Sequence, residues 1–93
     1  MPLEEVIELL RYAGRERRQE YKARQRIEKL TPREREVLQA LAEGLDSEGV
    51  AEKLNISQRT ERNHMSSILA KLEVHSQLQA LVLALRHGVV EIH

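Results

Sequence analysis

The chain has 93 residues, which is the size of one small domain with an additional helix. Hydrophobic residues make up 41% of it and aromatic residues only 2%, so a core of Leu, Val, Ile and Ala favours helices over a β-sandwich. The absence of cysteine excludes a disulfide scaffold and a thiolate zinc site. No apolar run approaches the ~18 residues of a membrane span, and three Glu among the first ten residues argue against a signal peptide. We therefore expect a soluble, cytoplasmic protein.

The charges of the chain cancel overall but are unevenly distributed. Fifteen Lys and Arg balance fifteen Asp and Glu. Residues 1–29 hold eight basic against six acidic residues, whereas residues 30–93 hold seven against nine. A neutral chain does not by itself indicate nucleic-acid binding, so such a function must depend on a local patch of charge.

Residues 1–29 are predicted to form an N-terminal helix or linker. Leu3, Val6, Ile7 and Leu10 recur at helical spacing. In residues 15–26, eight of twelve side chains are charged, which favours an exposed helix or a mobile linker. An Arg-rich arm near phosphate, or a tether to a missing partner domain, is the functional alternative for this stretch.

Residues 30–93 are predicted to form a domain of four short helices. Thr31 and Glu34 have the spacing of a capping box around Pro32, and Gly44 provides a stop signal. A second helix fits residues 47–54, and Asn55 suits a left-handed turn. A third helix follows the cap Ser57 and extends to about Leu72. A further capping-box pattern at Ser76–Gln79 opens a fourth helix that stops at Gly88.

The second and third helices are separated by three residues, 55–57, which is typical of a helix-turn-helix. Here the sequence resembles the LuxR-type (NarL/FixJ) DNA-binding domain. The resemblance spans residues 30–88 and is carried by LTPREREVL (30–38), AEGL (42–45), VAEKLNIS (50–57), Arg59-Thr60, Asn63-His64, Ser66–Leu69, Lys71-Leu72 and Gln79-Ala80. It implies an all-α fold: a four-helix domain preceded by a charged linker helix. It also implies a transcription regulator of the kind found as the output half of two-component response regulators.

The resemblance implies that the helix of residues 57–72 enters the major groove of double-stranded DNA. Its DNA-facing residues would be Gln58, Arg59, Arg62, Asn63, Ser66 and Ser67, with Lys71 at a phosphate. Helical spacing agrees, because most of these residues lie opposite the apolar stripe of Met65, Ile68, Leu69 and Leu72. Arg and Asn can bind base edges with two hydrogen bonds, whereas Ser and Lys suit phosphate oxygens.

The fourth helix is predicted to be a dimer contact. Residues 80–85 are all apolar, so a helix at the edge of the domain would expose an apolar strip at Leu81, Val82 and Leu85. A homodimer through that strip would present two recognition helices to paired half-sites. Alternatively, the tail of residues 89–92 folds back and covers the strip.

Three positions depart from the family pattern. Glu61 replaces a usual Val and is expected to point toward the core or its rim. Glu48 replaces a basic residue, and Gly49 replaces a Glu that would complete a capping box with Asp46. These departures favour a second hypothesis, in which a repurposed helix-turn-helix acts as a protein-interaction module or anti-activator with weak DNA affinity.

No catalytic or cofactor-binding pattern is present in the sequence. The four histidines, His64, His75, His87 and His93, include no pair at helical (i, i+4) spacing, and no Gly-rich phosphate loop or nucleophile–base motif occurs. We therefore predict that the protein is not an enzyme and that it needs no metal or cofactor.

Overall fold

The computed structural model describes residues 2–13 and 17–92. Its described part contains six α-helices and no strand, in the order α1 (Leu3–Ala13), α2 (Arg17–Glu28), α3 (Pro32–Ala42), α4 (Ser47–Leu54), α5 (Gln58–Leu72) and α6 (Gln77–Arg86). The all-α class is therefore confirmed, and α3 to α6 are the four helices expected after residue 30. The N-terminal segment contains two helices instead of one linker helix.

The first turn of α3 contains the predicted capping box. The Thr31 hydroxyl accepts a hydrogen bond from the Glu34 amide at 3.1 Å, and Glu34 Oε1 accepts one from the Thr31 amide at 2.8 Å. At α6 only half of the predicted box forms. The Ser76 hydroxyl accepts from the Gln79 amide, but the Gln79 side chain accepts from the amide of His75, one residue too early. Gln79 therefore fixes the loop before the cap, which spacing alone does not distinguish.

The core lies where α3, α4, α5 and α6 meet. The side chains with no exposed surface are Val37 and Leu38 of α3, Val50 of α4, Ile68 and Leu72 of α5, and Ala80 and Ala84 of α6. These are Leu, Ile, Val and Ala, as the composition predicts. Burial of such side chains supplies the main stabilising free energy of the domain.

Helix α2 is an exposed helix anchored by one narrow apolar edge. Ala23 and Ile27 are buried, and α2 contacts α5. Arg26 Nε also lies 2.6 Å from Glu73 Oε2, just after α5. The exposed-helix alternative therefore fits the part of α2 whose side chains are described, residues 21–28, while residues 14–16 lie outside the described part of the chain. Ile27 joins the core although it precedes the predicted domain boundary at residue 30.

The C-terminal tail folds back onto α3. Val90 is buried in the core. The Gln39 side chain donates to the Glu91 carbonyl and accepts from the Glu91 amide, both at 3.0 Å, as a neighbouring peptide group would. The tail is thereby held against α3, while Ile92 is exposed.

Candidate nucleic-acid interface

A tight turn between α4 and α5 sets the direction of α5. Asn55 adopts the left-handed conformation (φ 56°, ψ 47°), which Asn tolerates better than most residues. The Ile56 amide donates to the Ala51 carbonyl at 2.9 Å. Ser57 then caps α5 by accepting a hydrogen bond from the Thr60 amide at 3.0 Å. The predicted turn and both helices of the helix-turn-helix are therefore present.

One side of α5 is exposed along most of its length. Ile68, Leu72 and Glu61 point into the domain. The residues predicted to face DNA divide into two groups: Gln58, Arg59, Arg62, Asn63 and Ser66 are exposed, whereas Ser67 and Lys71 are half-buried. Arg59, Asn63 and Ser66 lie on the side of α5 away from the core, Arg62 lies on its flank, and Gln58 is exposed at the start of the helix. We call these five residues the exposed α5 face.

The cations of the exposed α5 face are available to a ligand. Neither Arg59 nor Arg62 forms an ion pair with any described residue. The other basic residues near the helix-turn-helix are engaged: Arg33 donates to the Leu54 carbonyl at 2.6 Å and pairs with Glu36, and Lys53 pairs with Glu43. Two unpaired guanidinium groups one helical turn apart suit phosphate oxygens and the acceptor atoms of guanine.

Lys71 has a structural partner. Its ammonium nitrogen lies 2.6 Å from Oε1 of Glu34, whose side chain is almost fully buried. Burial opposes ionisation of Glu34, but hydrogen bonds from Lys71, Ser67 and the Thr31 amide, together with the charge of Lys71, lower its pKa to about 2. Lys71 and Ser67 therefore both bind a buried anion inside the protein. Spacing along the chain does not indicate this pair, because its members are 37 residues apart.

Glu61 is buried on the core side of α5, with 1% of its surface exposed. Its Oε2 accepts a hydrogen bond from the Ser47 hydroxyl of α4 at 2.5 Å. This confirms the expectation that Glu61 points toward the core. The charge of Glu61 therefore does not lie on the exposed α5 face, where it would repel phosphate. Ser47 was not identified from the sequence, although a buried carboxylate requires a polar partner.

The other two departures lie on α4. Glu48 is exposed, so its charge is available to repel an anion. Gly49 keeps the backbone half of the expected cap, because its amide donates to Asp46 Oδ1 at 2.8 Å. A Cβ at this position would lie 3.3 Å from Asp46 Oδ1 and from Leu45 Cβ. A larger residue at position 49 therefore requires a small shift of the cap.

Metal and membrane sites find no support in the described residues. No group of three or more His, Asp or Glu side chains among them could hold a metal ion. His64 and His87 are half-buried, His75 is exposed, and His93 lies outside the described residues. No single described helix is long and apolar enough to cross a membrane; α5 and α6 reach that length and composition only as a pair bent by 62°.

Comparison with known proteins agrees with this geometry. Residues 28–84 match the family described as bacterial regulatory proteins, luxR family. A solved structure titled "Structure of Transcription factor, GerE" superposes with a TM-score of 0.65 at 38% identity, covering 69% of this chain and 96% of that one. The chain belongs to the luxR family and carries its helix-turn-helix domain.

The relatives with similar sequences are regulators of transcription. The chain is 42% identical over 74 residues to the uncharacterized transcriptional regulatory protein YxjL of Bacillus subtilis, covering 80% of this chain and 34% of the relative. It is 47% identical over 60 residues to LnrK of the same organism, covering 64% and 27%. It is 38% identical over 64 residues to the response regulator VraR of Staphylococcus aureus, covering 69% and 31%.

The family assignment defines the class of the chain. It is a DNA-binding transcription-regulator domain homologous to response regulators, and these relatives are not enzymes. The chain spans about a third of the length of the curated relatives it matches.

Proposed function

We propose that this chain is the DNA-binding part of a sequence-specific transcription regulator and that α5 enters the major groove of double-stranded DNA. The observation that carries the proposal is that two exposed arginines on α5, Arg59 and Arg62, form no ion pair with any described residue. Both are exposed, whereas Ile68 and Leu72 of the same helix have no exposed surface. A helix-turn-helix presents its second helix to the groove in this way.

Different residues of the exposed α5 face would contact the bases and the phosphates of the DNA. Arg59, Arg62 and Asn63 have the donors and acceptors to bind base edges, and Gln58 can do the same from the first turn. Ser66, together with Ser67 at the rim, suits phosphate oxygens. A phosphate contact by Lys71 requires its ammonium group to serve Glu34 and DNA together.

Two copies of the chain would bind paired half-sites by associating through α6. The residues proposed for this contact are Leu81, Val82 and Leu85, although the strip is not exposed in the single chain as the sequence predicted: Val82 is 8% exposed and the two leucines are half-buried. A two-fold contact between identical helices would place two recognition helices on one side of the dimer.

The chain would act as the output domain of a longer cytoplasmic protein. The matched part of the chain covers only 34% of YxjL and 31% of VraR, and VraR is titled a response regulator. In this proposal, residues 1–29 are the helical linker that connects the domain of residues 30–93 to a receiver or sensor domain in two-component signalling.

The decisive experiment is titration of the chain against a random-sequence duplex library and against the duplexes selected from it. Binding should weaken between about 50 and 200 mM salt, with a slope that counts the phosphates contacted. Selected duplexes should bind more tightly than random ones at every salt concentration. The exposed anion Glu48 supports the second candidate, a protein-interaction module or anti-activator. Absence of DNA binding at the lowest salt concentration would favour it.

A further inference from the structure

The side of α6 that faces away from the core is covered within a single chain. Ala80 and Ala84 have no exposed surface and face the core. Successive helical residues are about 100° apart, so Val82 projects from the opposite side of α6. A side chain there would be exposed if nothing lay over it. Val82 is nevertheless only 8% exposed.

Helix α1 is the helix available to cover this outer side, because α3 and α5, which also contact α6, contribute to the core and the described side chains of α1 do not. The two helices are in contact. On α1, Val6 and Leu9 are half-buried, whereas Leu3 and Ile7 are 71% and 40% exposed. Val6 and Leu9 are one turn apart and therefore share one side of the helix. The side of α1 that carries Val6 and Leu9 therefore faces α6, and the side that carries Leu3 and Ile7 faces solvent.

The contact between α1 and α6 is separate from the core. None of the described α1 side chains belongs to the core cluster, whereas α2 contributes Ile27. Removal of α1 from α6 therefore leaves the packing of α3, α4 and α5 unchanged. It would uncover Val82, which lies between Leu81 and Leu85, two half-buried residues that pack against the core.

We infer that α1 and a second copy of the chain compete for the outer side of α6. This inference rests on the proposed pairing of two chains through α6. A helix is about 10 Å wide with its side chains, so the short α6 cannot pack against α1 and a partner's α6 at the same position. The arrangement with α1 on α6 is the unpaired state. Two chains can pair only after α1 has left α6 in each of them. The smaller the fraction of chains in which α6 is free, the weaker the apparent affinity of the dimer.

The test compares two double variants of the full chain by sedimentation over a range of concentrations without DNA. Val6→Glu with Leu9→Glu places charges on the side of α1 that faces α6. The matched control, Leu3→Glu with Ile7→Glu, adds the same charge to the same helix on its exposed side. We expect the first pair to lower the concentration at which dimers form by about tenfold or more. The control should match the parent.

Two further variants identify the cause of each outcome. Val82→Glu added to the first pair should abolish the dimer; a dimer that persists would show that α6 is not the pairing surface, which contradicts the proposed pairing. If the two glutamates lower the melting temperature of the chain, Val6→Ala with Leu9→Ala replaces them. This milder pair should also lower the concentration at which dimers form, by a smaller factor. An unchanged or weaker dimer in both Val6/Leu9 variants would overturn the competition. Since no DNA is present, these outcomes are independent of whether the chain binds DNA.

Discussion

The ammonium group of Lys71 lies 2.6 Å from Oε1 of Glu34, which joins the last turn of α5 to the first turn of α3. The same carboxylate oxygen accepts the amide of Thr31 and so also caps α3. One buried anion therefore fixes both the start of α3 and the orientation of α5 against it. Loss of the Lys71–Glu34 contact would therefore change the tilt of the exposed α5 face relative to the rest of the domain.

The Glu34 cluster should make the stability of the protein depend on acid pH. The pKa of Glu34 is lowered from 4.5 to about 2, so the folded state binds the proton less readily than the unfolded state. The stabilisation is fully present above pH 4.5 and is lost as the pH falls toward 2. Its size is on the order of 3 kcal/mol. Chemical denaturation at a series of pH values measures it.

The Glu34→Gln variant should be less stable near pH 7 and should lose less stability between pH 4.5 and 2 than the parent does. Glu52→Gln is the control, because Glu52 is an exposed acid on α4. A pH dependence of the Glu34 variant equal to that of the parent would show that another acid is responsible.

Lys71→Met should distinguish a structural role from a phosphate contact. Removing the cation leaves the buried Glu34 with Ser67 and the Thr31 amide but without its ion-pair partner, and we expect a loss of about 1–3 kcal/mol in unfolding free energy. If Lys71 serves only Glu34, the slope of log affinity against log salt should not change once the variant is folded. A slope smaller by about 1 would demonstrate the phosphate contact predicted from the sequence.

Arg62→Ala should weaken binding to a selected duplex by about 1–3 kcal/mol and leave the melting temperature nearly unchanged, because Arg62 is exposed and forms no ion pair with a described residue. Arg62→Lys is the matched variant, since it keeps the charge but loses the two-pronged donor geometry. Loss of sequence preference with an unchanged salt slope in the lysine variant would indicate base contact. If the parent and the alanine variant bind the duplex with equal affinity, Arg62 does not contact DNA.

The Ser47–Glu61 hydrogen bond should give a measurable coupling energy. Ser47→Ala leaves a buried carboxylate without its donor and should cost about 1–3 kcal/mol. Glu61→Val removes the buried charge and should raise the melting temperature, because the desolvation of the carboxylate is relieved. In the Glu61→Val background, Ser47→Ala should cost little. Thermal unfolding of the four proteins gives the coupling, and additive effects would contradict the pairing.

Glu48→Lys should strengthen binding to any duplex and steepen the salt dependence, because an exposed anion on α4 is replaced by a cation near the DNA backbone. Glu28→Lys makes the same change of charge on exposed α2, outside the helix-turn-helix, and should have a smaller effect. Equal gains from both variants would show that only the net charge of the chain matters.

The sequence by itself determined the four helices after residue 30 and their ends. Thr31, Asn55 and Ser57 act within three or four residues of themselves, so spacing is sufficient to predict the capping box and the left-handed turn. The exposed side of α5 was predictable for the same reason, because helical periodicity places Arg59 and Asn63 opposite Ile68 and Leu72, with Arg62 on the flank.

Only the tertiary structure decided which polar groups are bound inside the protein and which remain available. Glu34 meets Lys71 across 37 residues, and Glu61 meets Ser47 across 14. Neither separation corresponds to a helical period, so both contacts arise from the packing of helices on one another. The position of α1 on α6 has the same origin. An apolar stripe shows that a helix will be covered, but the partner that covers Val82 depends on which surfaces the other helices leave open.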